Sequence, residues 1–435
     1  MQVRKFLMMV VILAPLFGQA QLKGILNRAK NNAENRAERQ ADKAVDNALD
    51  KAEGKSTPPP KQQESKPDQS SGTATTASAS SSSDKTDLQS YSKFDFIPGE
   101  KILYAEEFAQ DEIGELPLGW NTGGKAELVT INAFPGRWLR LYQNAVYLPS
   151  NKQAFTKNFT VEFDVVLQLK SNGYTYPYFS FGFFSSSDQA GNDNEFLKEY
   201  RKYQSTEFMI RLAAGGGTHA AVETAQDNKQ YFKSEIQNLA ALENYYNKVS
   251  HIAIQVQESR TRIWVNGEKK FDLPMAGPVS YIFNNLFFKV HSSSYKDDQI
   301  GFYVGNLKVA TGKPDARHKL IEEGKFSTTG ILFDFQSAAI KPESYGVLKD
   351  IAKVLSENPA VKVKVVGHTS SDGDDNANME LSKKRAASVK EILTAEFGID
   401  ASRIETEGKG ETQPVANNKE KEGKALNRRV EFIKL

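Results

Sequence analysis

Residues 159–170 alternate apolar and polar side chains along nearly their whole length. Successive side chains of a β-strand point to opposite faces, so this pattern predicts a strand with one face in a core and the other largely polar. Asn266-Gly267 separates two further runs in the manner of a tight hairpin turn. Because no helical periods intervene, the runs predict an all-β, antiparallel sandwich over residues 93–312. The further runs are residues 137–148, 177–185, 206–213, 249–258, 260–265, 283–291 and 299–310.

Residues 1–20 have the pattern of a secretory signal peptide. Arg4 and Lys5 precede an apolar run from Phe6 to Phe17, and a small-residue sequence ends at Ala20. The run is shorter than the roughly 20 residues that span a bilayer, so an uncleaved membrane anchor is the weaker interpretation. We predict an exported protein that is cleaved after Ala20.

Residues 21–55 and 56–92 form two further segments of distinct composition. In the first, alanines recur every three or four positions among alternating charges, which is the spacing of a helix. Two interpretations stay open for this helix: a close-packed element through which the protein self-associates, or a solitary spacer. In the second, Pro58-Pro59-Pro60 and a tract of Ser, Thr, Ala and Gln predict a disordered linker, because nothing there can fill a core.

The composition excludes several classes of function. The 435 residues carry 56 Lys and Arg against 54 Asp and Glu, with no basic cluster, so general nucleic-acid binding is not expected. The absence of cysteine excludes disulfides, thiol catalysis, thiolate metal sites and Cys-linked lipid anchors. The five histidines form no metalloprotease pair. Loop 188–195 has enough oxygens for a calcium ion but lacks the ligand spacing of a helix-loop-helix calcium site, so a solvated loop is the favoured interpretation. We therefore predict no cofactor and no metal.

Three segments of the predicted sandwich, residues 108–120, 251–273 and 301–309, are the most distinctive. They resemble a laminin G-like, concanavalin-type jelly roll. The resemblance implies a fold that commonly binds glycans or proteins and includes some glycosidases. Those sandwich glycosidases carry their acids on one strand as Glu-x-Asp-x-(x)-Glu. Here Glu162 and Asp164 match the first two positions, but Val166 and Leu167 stand where the third acid belongs. Solvent-facing charges on an outer strand face are therefore the favoured interpretation.

Beyond the sandwich, strand and helical periods alternate, which predicts an α/β domain with a mixed sheet and helices packed on one side. The second helix places Asn378, Leu381 and Arg385 along one side, near loop 367–375. A guanidinium beside a polar loop suits a carboxylate ligand, since Arg grips it bidentately and backbone amides complete the pocket. The predicted elements are strand 331–335, helix 342–357, strand 361–366, helix 378–397, strand 404–408 and strand 428–434.

Five motifs occur in order in the C-terminal region. They are Ile331-Leu332-Phe333-Asp334-Phe335, Gly367-His368-Thr369, Asn378-x-x-Leu381-Ser382-x-x-Arg385-Ala386, Gly408-x-Gly410-Glu411-x-x-Pro414 and Asn427-Arg428-Arg429-Val430. With these motifs, residues 322–435 resemble the OmpA C-terminal domain. The resemblance implies non-covalent binding of peptidoglycan by its stem peptide, especially diaminopimelate, through a loop Asp and a helix Arg. Arg385 matches that Arg. The loop Asp does not carry over, because Ser370 stands at its position, and Asp372, two residues on, is the candidate substitute.

The resemblance therefore implies a peptidoglycan site formed by the loop, the second helix and the last motif. The candidate binding residues are Thr369, Ser370, Asp372, Asn378, Leu381, Arg385 and Arg429. No catalytic residue is predicted among them.

Together these features predict a multidomain, non-enzymatic protein of the periplasm that is associated with peptidoglycan and the outer membrane. The predicted fold is an N-terminal helix and a disordered linker, then an all-β jelly-roll sandwich and an α/β domain of order βαβαββ. The C-terminal domain would hold peptidoglycan, while the sandwich would bind a glycan or an envelope protein. Two alternatives stay open: a wall-targeted, glycan-active enzyme that uses the sandwich, and an outer-membrane β-barrel with a peptidoglycan-binding tail.

Overall fold

Two antiparallel β-sheets and one mixed sheet organise the computed structural model, which describes residues 95–435. The predicted signal peptide, N-terminal helix and linker lie outside the described residues. The two antiparallel sheets form the β-sandwich (residues 101–311), and the mixed sheet belongs to the C-terminal domain (residues 316–435).

The strands of the sandwich are β1 Lys101–Glu106, β2 Asn121–Thr122, β3 Ala126–Ile131, β4 Phe134–Leu141, β5 Ala145–Leu148, β6 Asn158–Gln168, β7 Phe179–Ser185, β8 Gln204–Arg211, β9 His219–Gln226, β10 Lys229–Lys233, β11 Gln237–Asn238, β12 Val249–Gln257, β13 Arg260–Val265, β14 Glu268–Leu273, β15 Asn285–Val290 and β16 Gly301–Thr311. A short helix, α1 Phe196–Glu199, and a 3-10 helix, Ala240–Tyr245, lie in the insertions after β7 and β11. Sheet A has the order β14-β13-β12-β6-β16-β4-β3, with β1 also paired to β16. Sheet B has the order β10-β9-β8-β7-β15-β5-β2, with β11 also paired to β9.

Alternating side chains fill the space between the two sheets. Phe163 on β6 of sheet A packs edge-on against Phe181 on β7 and Phe288 on β15 of sheet B, with ring centroids 4.8 and 5.1 Å apart. All three rings are buried. The two face-to-face antiparallel sheets confirm the predicted all-β architecture, whereas the jelly-roll connectivity and the laminin G-like relationship stay predictions.

The insertion between β7 and β8 covers part of the outer face of sheet B. Phe196 and Tyr200 of this insertion pack on Phe184 and Phe287, which point away from the sandwich core. The rings of Tyr200 and Phe287 stack with centroids 4.2 Å apart. Burial of this second apolar layer holds α1 against the sheet.

The C-terminal domain contains α2 Ala316–Ile321, β17 Lys325–Thr328, α3 Tyr345–Glu357, β18 Val363–His368, α4 Asp375–Ala395, β19 Ile404–Gly410, α5 Lys421–Asn427 and β20 Val430–Lys434, with 3-10 helices at Pro342–Ser344 and Ala401–Arg403. Its sheet has the order β17-β20-β18-β19, in which β18 and β19 are parallel and the other pairs antiparallel. Helices α3 and α4 bury Ile351 and Val389 in one core with Val365 and Phe432 of the sheet. The predicted α/β domain is confirmed.

Two local predictions in this domain are wrong. Residues 331–335 do not form a strand of the sheet, because the chain turns back there and the Lys341 N–H donates to the Leu332 carbonyl at 2.9 Å. The apolar side chain of Ile331 is buried in the core, so the segment serves packing, and β17 is the first strand of the sheet. Helix α5 was missed because its short sequence, Lys-Glu-Gly-Lys-Ala-Leu-Asn, contains glycine and shows no clear helical period.

Helix α5 packs against the sandwich. Ala425 of α5 shares a buried apolar cluster with Ile102 of β1. Lys421 Nζ lies 2.8 Å from Oε1 of Glu106 and 2.9 Å from Oδ2 of Asp111. The sandwich and the C-terminal domain belong to one compact unit.

The charged side chains on the outer face of β6 are buried, so the prediction that they face solvent is wrong. Glu162 and Asp164 are each 3% exposed. His251 Nδ1 lies 2.7 Å from Asp164 Oδ1, and Lys308 Nζ lies 3.0 Å from Glu162 Oε1. Lys341 of the C-terminal domain reaches to 3.5 Å from Asp164 Oδ2. The C-terminal domain thus contributes to covering this face, which the sequence of β6 alone does not reveal.

The stability of the sandwich is expected to fall as the pH rises above about 6.5. Burial alone would lower the pKa of His251, but the hydrogen bond to Asp164 and the charges of Asp164, Glu162 and Glu343 raise it overall. Protonated His251 therefore stabilises the fold fully below its unfolded pKa of about 6.5, and this stabilisation is lost as the pH rises through the folded pKa.

Urea unfolding followed by tryptophan fluorescence, measured from about pH 5.5 to 9, checks this dependence. The free energy of unfolding should decline clearly with rising pH in the wild type and less steeply in His251→Gln. His318→Gln, which changes an exposed histidine of α2, is the control. Equal pH profiles for the wild type and His251→Gln would contradict the prediction.

Candidate functional site

Residues 369–374, which make up most of the predicted loop 367–375, connect the end of β18 with the start of α4. Asp374 caps α4, since its Oδ1 accepts a hydrogen bond from the Ala377 N–H at 2.9 Å. The helix lies very close to β18, because a Cβ at Gly367 would lie 2.3 Å from the Ser382 carbonyl oxygen. Glycine is therefore required at 367, and this contact sets the spacing between the loop and α4.

Asn378 and Ser382 on α4 hold the loop and β19 in place. Asn378 Nδ2 donates hydrogen bonds to the Asp372 carbonyl at 3.1 Å and to Glu411 Oε2 at 2.7 Å. Ser382 Oγ accepts a hydrogen bond from the Gly410 N–H at 2.8 Å. Both side chains are buried. Asn378 is thus placed to position the loop.

Arg385 carries a guanidinium that forms no ion pair with a carboxylate among residues 95–435. Its Nε donates to the Ser337 carbonyl at 2.9 Å, and its Cζ lies 4.8 Å from the centroid of the Phe333 ring. Burial and the nearby charge of Arg428 lower the pKa of Arg385 to about 10, so it stays protonated at neutral pH. A partly buried cation without a counter-ion is costly, and a ligand carboxylate would relieve that cost.

Asp372 is ionised and already paired. Lys424 Nζ lies 2.6 Å from Asp372 Oδ1, and Ser370 Oγ donates to Asp372 Oδ2 at 3.0 Å. Burial would raise the pKa of Asp372, but these two hydrogen bonds and the charges of Lys424 and Arg428 lower it overall. The loop therefore offers a carboxylate whose negative charge is partly neutralised by Lys424 of α5.

Arg428 connects this loop with the sandwich. Its Nη1 donates to the Ser370 hydroxyl at 3.3 Å, and its Nη2 forms an ion pair with Glu107, just after β1. Sequence reasoning missed two of these contributions. Lys424 lies on a helix that was not predicted, and Glu107 is 321 positions from Arg428 in the chain, so no local pattern indicates either contact.

The remaining predicted residues lie around this loop in different environments. Arg429 is buried. It donates hydrogen bonds to Oε1 of Glu431, on β20, at 2.8 Å and to the carbonyl of Gln413, in the segment after β19, at 3.1 Å. Thr369 is also buried, and its N–H donates to the carbonyl of Gly410, at the end of β19, at 2.9 Å. Leu381 is partly exposed on α4.

Neither a metal site nor a membrane-spanning helix is found in the described part of the chain. Within residues 95–435, no group of three or more His, Asp or Glu is arranged to hold a metal ion. No helix in that range is both long and apolar enough to cross a bilayer. In loop 188–195, Asn192 donates to the Gly119 carbonyl at 2.6 Å and Asn194 accepts from Asn121 at 2.9 Å.

The loop and α4 lie inside a segment of the chain that matches a known protein family. Residues 332–428 match the OmpA family, and this range includes Ser370, Asp372, Asn378 and Arg385. The C-terminal domain is an OmpA family domain. The OmpA family domain thus contains the predicted binding residues except Arg429, which lies one position beyond the match.

Relatives of this OmpA family domain include envelope proteins. Outer membrane porin F of Pseudomonas fluorescens is 46% identical over 101 residues, and the probable lipoprotein YiaD of Escherichia coli (strain K12) is 48% identical over 102 residues. Each match covers 23% of this chain, but only 31% of the porin and 46% of the lipoprotein. A solved structure, the peptidoglycan-associated lipoprotein from Burkholderia pseudomallei, is 25% identical and covers 28% of this chain and 100% of that chain, with a TM-score of 0.24. The predicted envelope location agrees with the name of the porin.

Proposed function

We propose that this is a non-enzymatic protein of the periplasm that binds peptidoglycan non-covalently through its OmpA family domain. The observation that supports this most strongly is Arg385, a partly buried cation beside Ser337 with no carboxylate partner among the described residues. The rigid support of the loop by Asn378 adds to it, because a preorganised site loses less entropy on binding. Association with the outer membrane follows the names of the relatives.

The proposed ligand is the stem peptide, and in particular its diaminopimelate, whose free end carries both a carboxylate and an ammonium. The carboxylate would pair with Arg385, since the planar guanidinium binds carboxylates bidentately. The ammonium would face Ser370 and Asp372. Because Lys424 already pairs with Asp372, the attraction for the ammonium is weaker than an unpaired Asp would provide.

The sandwich would present a second binding surface, for a glycan or an envelope protein. Glycan hydrolysis by Glu162 and Asp164 is not supported, because both carboxylates are buried in ion pairs with His251, Lys308 or Lys341. The N-terminal helix and linker would tether this unit, and the helix would also mediate any self-association.

Co-sedimentation with purified sacculi tests the proposed function. Residues 21–435 should pellet with intact sacculi and stay in the supernatant with sacculi whose stem peptides an amidase has removed. This follows because the proposed contacts are made with the peptide and not with the glycan strand. Failure to pellet with intact sacculi, or equal pelleting with both preparations, would contradict the proposal.

A further inference from the structure

A groove of about 640 Å³ lies on the outer face of sheet B, beside the insertion that carries α1. Small-molecule sites commonly have volumes of about 300–1,000 Å³, so this groove has room for a short oligosaccharide. It is formed by the insertion, the turn before β5 and the end of β15. It is separate from the OmpA family domain, because none of its lining residues belongs to that domain.

The strand register places polar side chains on this face. Val290, Phe179 and Ile210 pair across β15, β7 and β8, and all three point into the sandwich core. Because side chains alternate along each strand, their neighbours Lys289 and His291 point out into the groove.

Two lysines give the groove its charge. Lys289 is half-buried, and its Nζ lies 5.6 Å from the centroid of the Tyr200 ring, which restricts the position of the ammonium. Lys198 is exposed on α1. Neither lysine pairs with a carboxylate among the described residues, and no Asp or Glu of residues 95–435 lines the groove. Glu207, on the same face, is buried and accepts a hydrogen bond from the Tyr200 hydroxyl at 3.0 Å.

His291 adds a neutral hydrogen-bonding group. Its Nε2 lies 3.3 Å from the Ser180 hydroxyl. Burial and the charge of Lys289 lower the pKa of His291, so the imidazole is uncharged at neutral pH. The positive charge therefore comes from the two lysines, and it is suited to an anion.

The other walls suit a sugar ring. Leu197 is partly exposed on α1 and supplies an apolar surface, against which the carbon face of a pyranose can pack. Asn144 and Asn194 are exposed at the rim and offer amide donors and acceptors for hydroxyl groups. Apolar surface, amides and unpaired cations in one groove match a ligand that has hydroxyl groups and negative charge.

We propose that this groove binds an acidic oligosaccharide whose carboxylates pair with Lys198 and Lys289. The inference rests on the proposed second binding surface of the sandwich and gives it a place and a ligand class. Binding in this groove would not involve Arg385, which does not line it.

The test is calorimetric titration of residues 21–435 with a galacturonate hexamer. Its fully methyl-esterified form, which has no charge, and a heparin hexasaccharide, which is largely sulfated, are titrated in parallel. The double variant Lys198→Gln/Lys289→Gln is compared with Lys170→Gln/Lys229→Gln, which has the same net charge but changes two exposed lysines elsewhere on the sandwich. Lys198→Gln alone, at an exposed position, serves as the variant least able to disturb folding.

The wild type and the control variant should bind the hexamer equally, and the double variant about tenfold or more weakly, because both charge-assisted contacts are lost. Lys198→Gln should be intermediate, the ester should not bind measurably, and Arg385→Ala should bind as the wild type does. The proposal is overturned if the wild type does not bind, if the double variant binds as well as the control, or if the heparin hexasaccharide is preferred. Loss of hexamer binding in Arg385→Ala would also overturn the proposal. If that variant loses only its binding to sacculi, the groove proposal stands, because that result concerns the OmpA family domain alone.

Discussion

Arg385→Ala is expected to release the protein from sacculi. Arg385 is partly buried, is held by the Ser337 carbonyl and the Phe333 ring, and pairs with no carboxylate among the described residues. Removing one partner of a buried, hydrogen-bonded charge pair costs about 2–5 kcal/mol, which corresponds to at least about 30-fold weaker binding. Co-sedimentation of residues 21–435 over a range of sacculus concentrations measures this change.

The control for this variant is Lys384→Ala, which removes the neighbouring, exposed cation of α4. It should sediment like the wild type, because Lys384 is not part of the proposed site. A general electrostatic attraction to the wall would instead be weakened equally by the loss of either cation. Arg385→Lys keeps the charge but loses the bidentate geometry, so intermediate binding is expected. Equal loss in Arg385→Ala and Lys384→Ala would show that the attraction is not specific to the site.

Asp164→Ala is expected to lower the free energy of unfolding by about 3–5 kcal/mol, the usual cost of breaking a buried ion pair by removing one partner. Asp164 accepts hydrogen bonds from His251 at 2.7 Å and Asn306 at 2.8 Å, and Lys341 lies 3.5 Å away. Burial alone would raise the pKa of Asp164. The hydrogen bond and the charge of His251, the charge of Lys341 and the hydrogen bond from Asn306 outweigh burial and lower this pKa to about 2. It is therefore ionised at neutral pH, and its removal leaves the buried His251 without its hydrogen-bond acceptor and the half-buried Lys341 without this charge partner.

Urea unfolding at pH 7, followed by tryptophan fluorescence, measures this loss. Asp188→Ala, at an exposed loop position, is the matched control and should change stability by less than about 0.5 kcal/mol. Because Lys341 belongs to the C-terminal domain, the loss in Asp164→Ala should be smaller in the background of Lys341→Ala. A loss for Asp164→Ala no larger than the control would contradict the role given to the buried ion pairs.

The fold could be predicted from the sequence where the pattern is local. The alternation at 159–170 located β6, and the spacing of Asn378 and Arg385 placed both on α4, because periods of two and 3.6 residues depend only on near neighbours. Residues 331–335 show the limit of this reasoning, since an apolar alternation there fills the core without pairing in a sheet.

The surroundings of the site depend on distant parts of the chain and could not be predicted. Arg385 was identified by its place in a motif, but the pairing of Asp372 with Lys424 and of Arg428 with Glu107 joins separate elements. The burial of Asp164 likewise depends on its tertiary partners, which include Lys341 of another domain. A strand pattern shows which side chains share a face, but not what covers that face.

The most direct test of peptidoglycan recognition is calorimetric titration of residues 21–435 with a soluble stem tetrapeptide that contains diaminopimelate. The wild type should bind this peptide, and Arg385→Ala should bind it at least about 30-fold more weakly. Amidation of the free diaminopimelate carboxylate should weaken binding to the wild type by a similar factor, since it removes the group that Arg385 is proposed to hold. Equal affinity of the wild type and Arg385→Ala for the unmodified peptide, or no binding by the wild type, would contradict the proposed recognition.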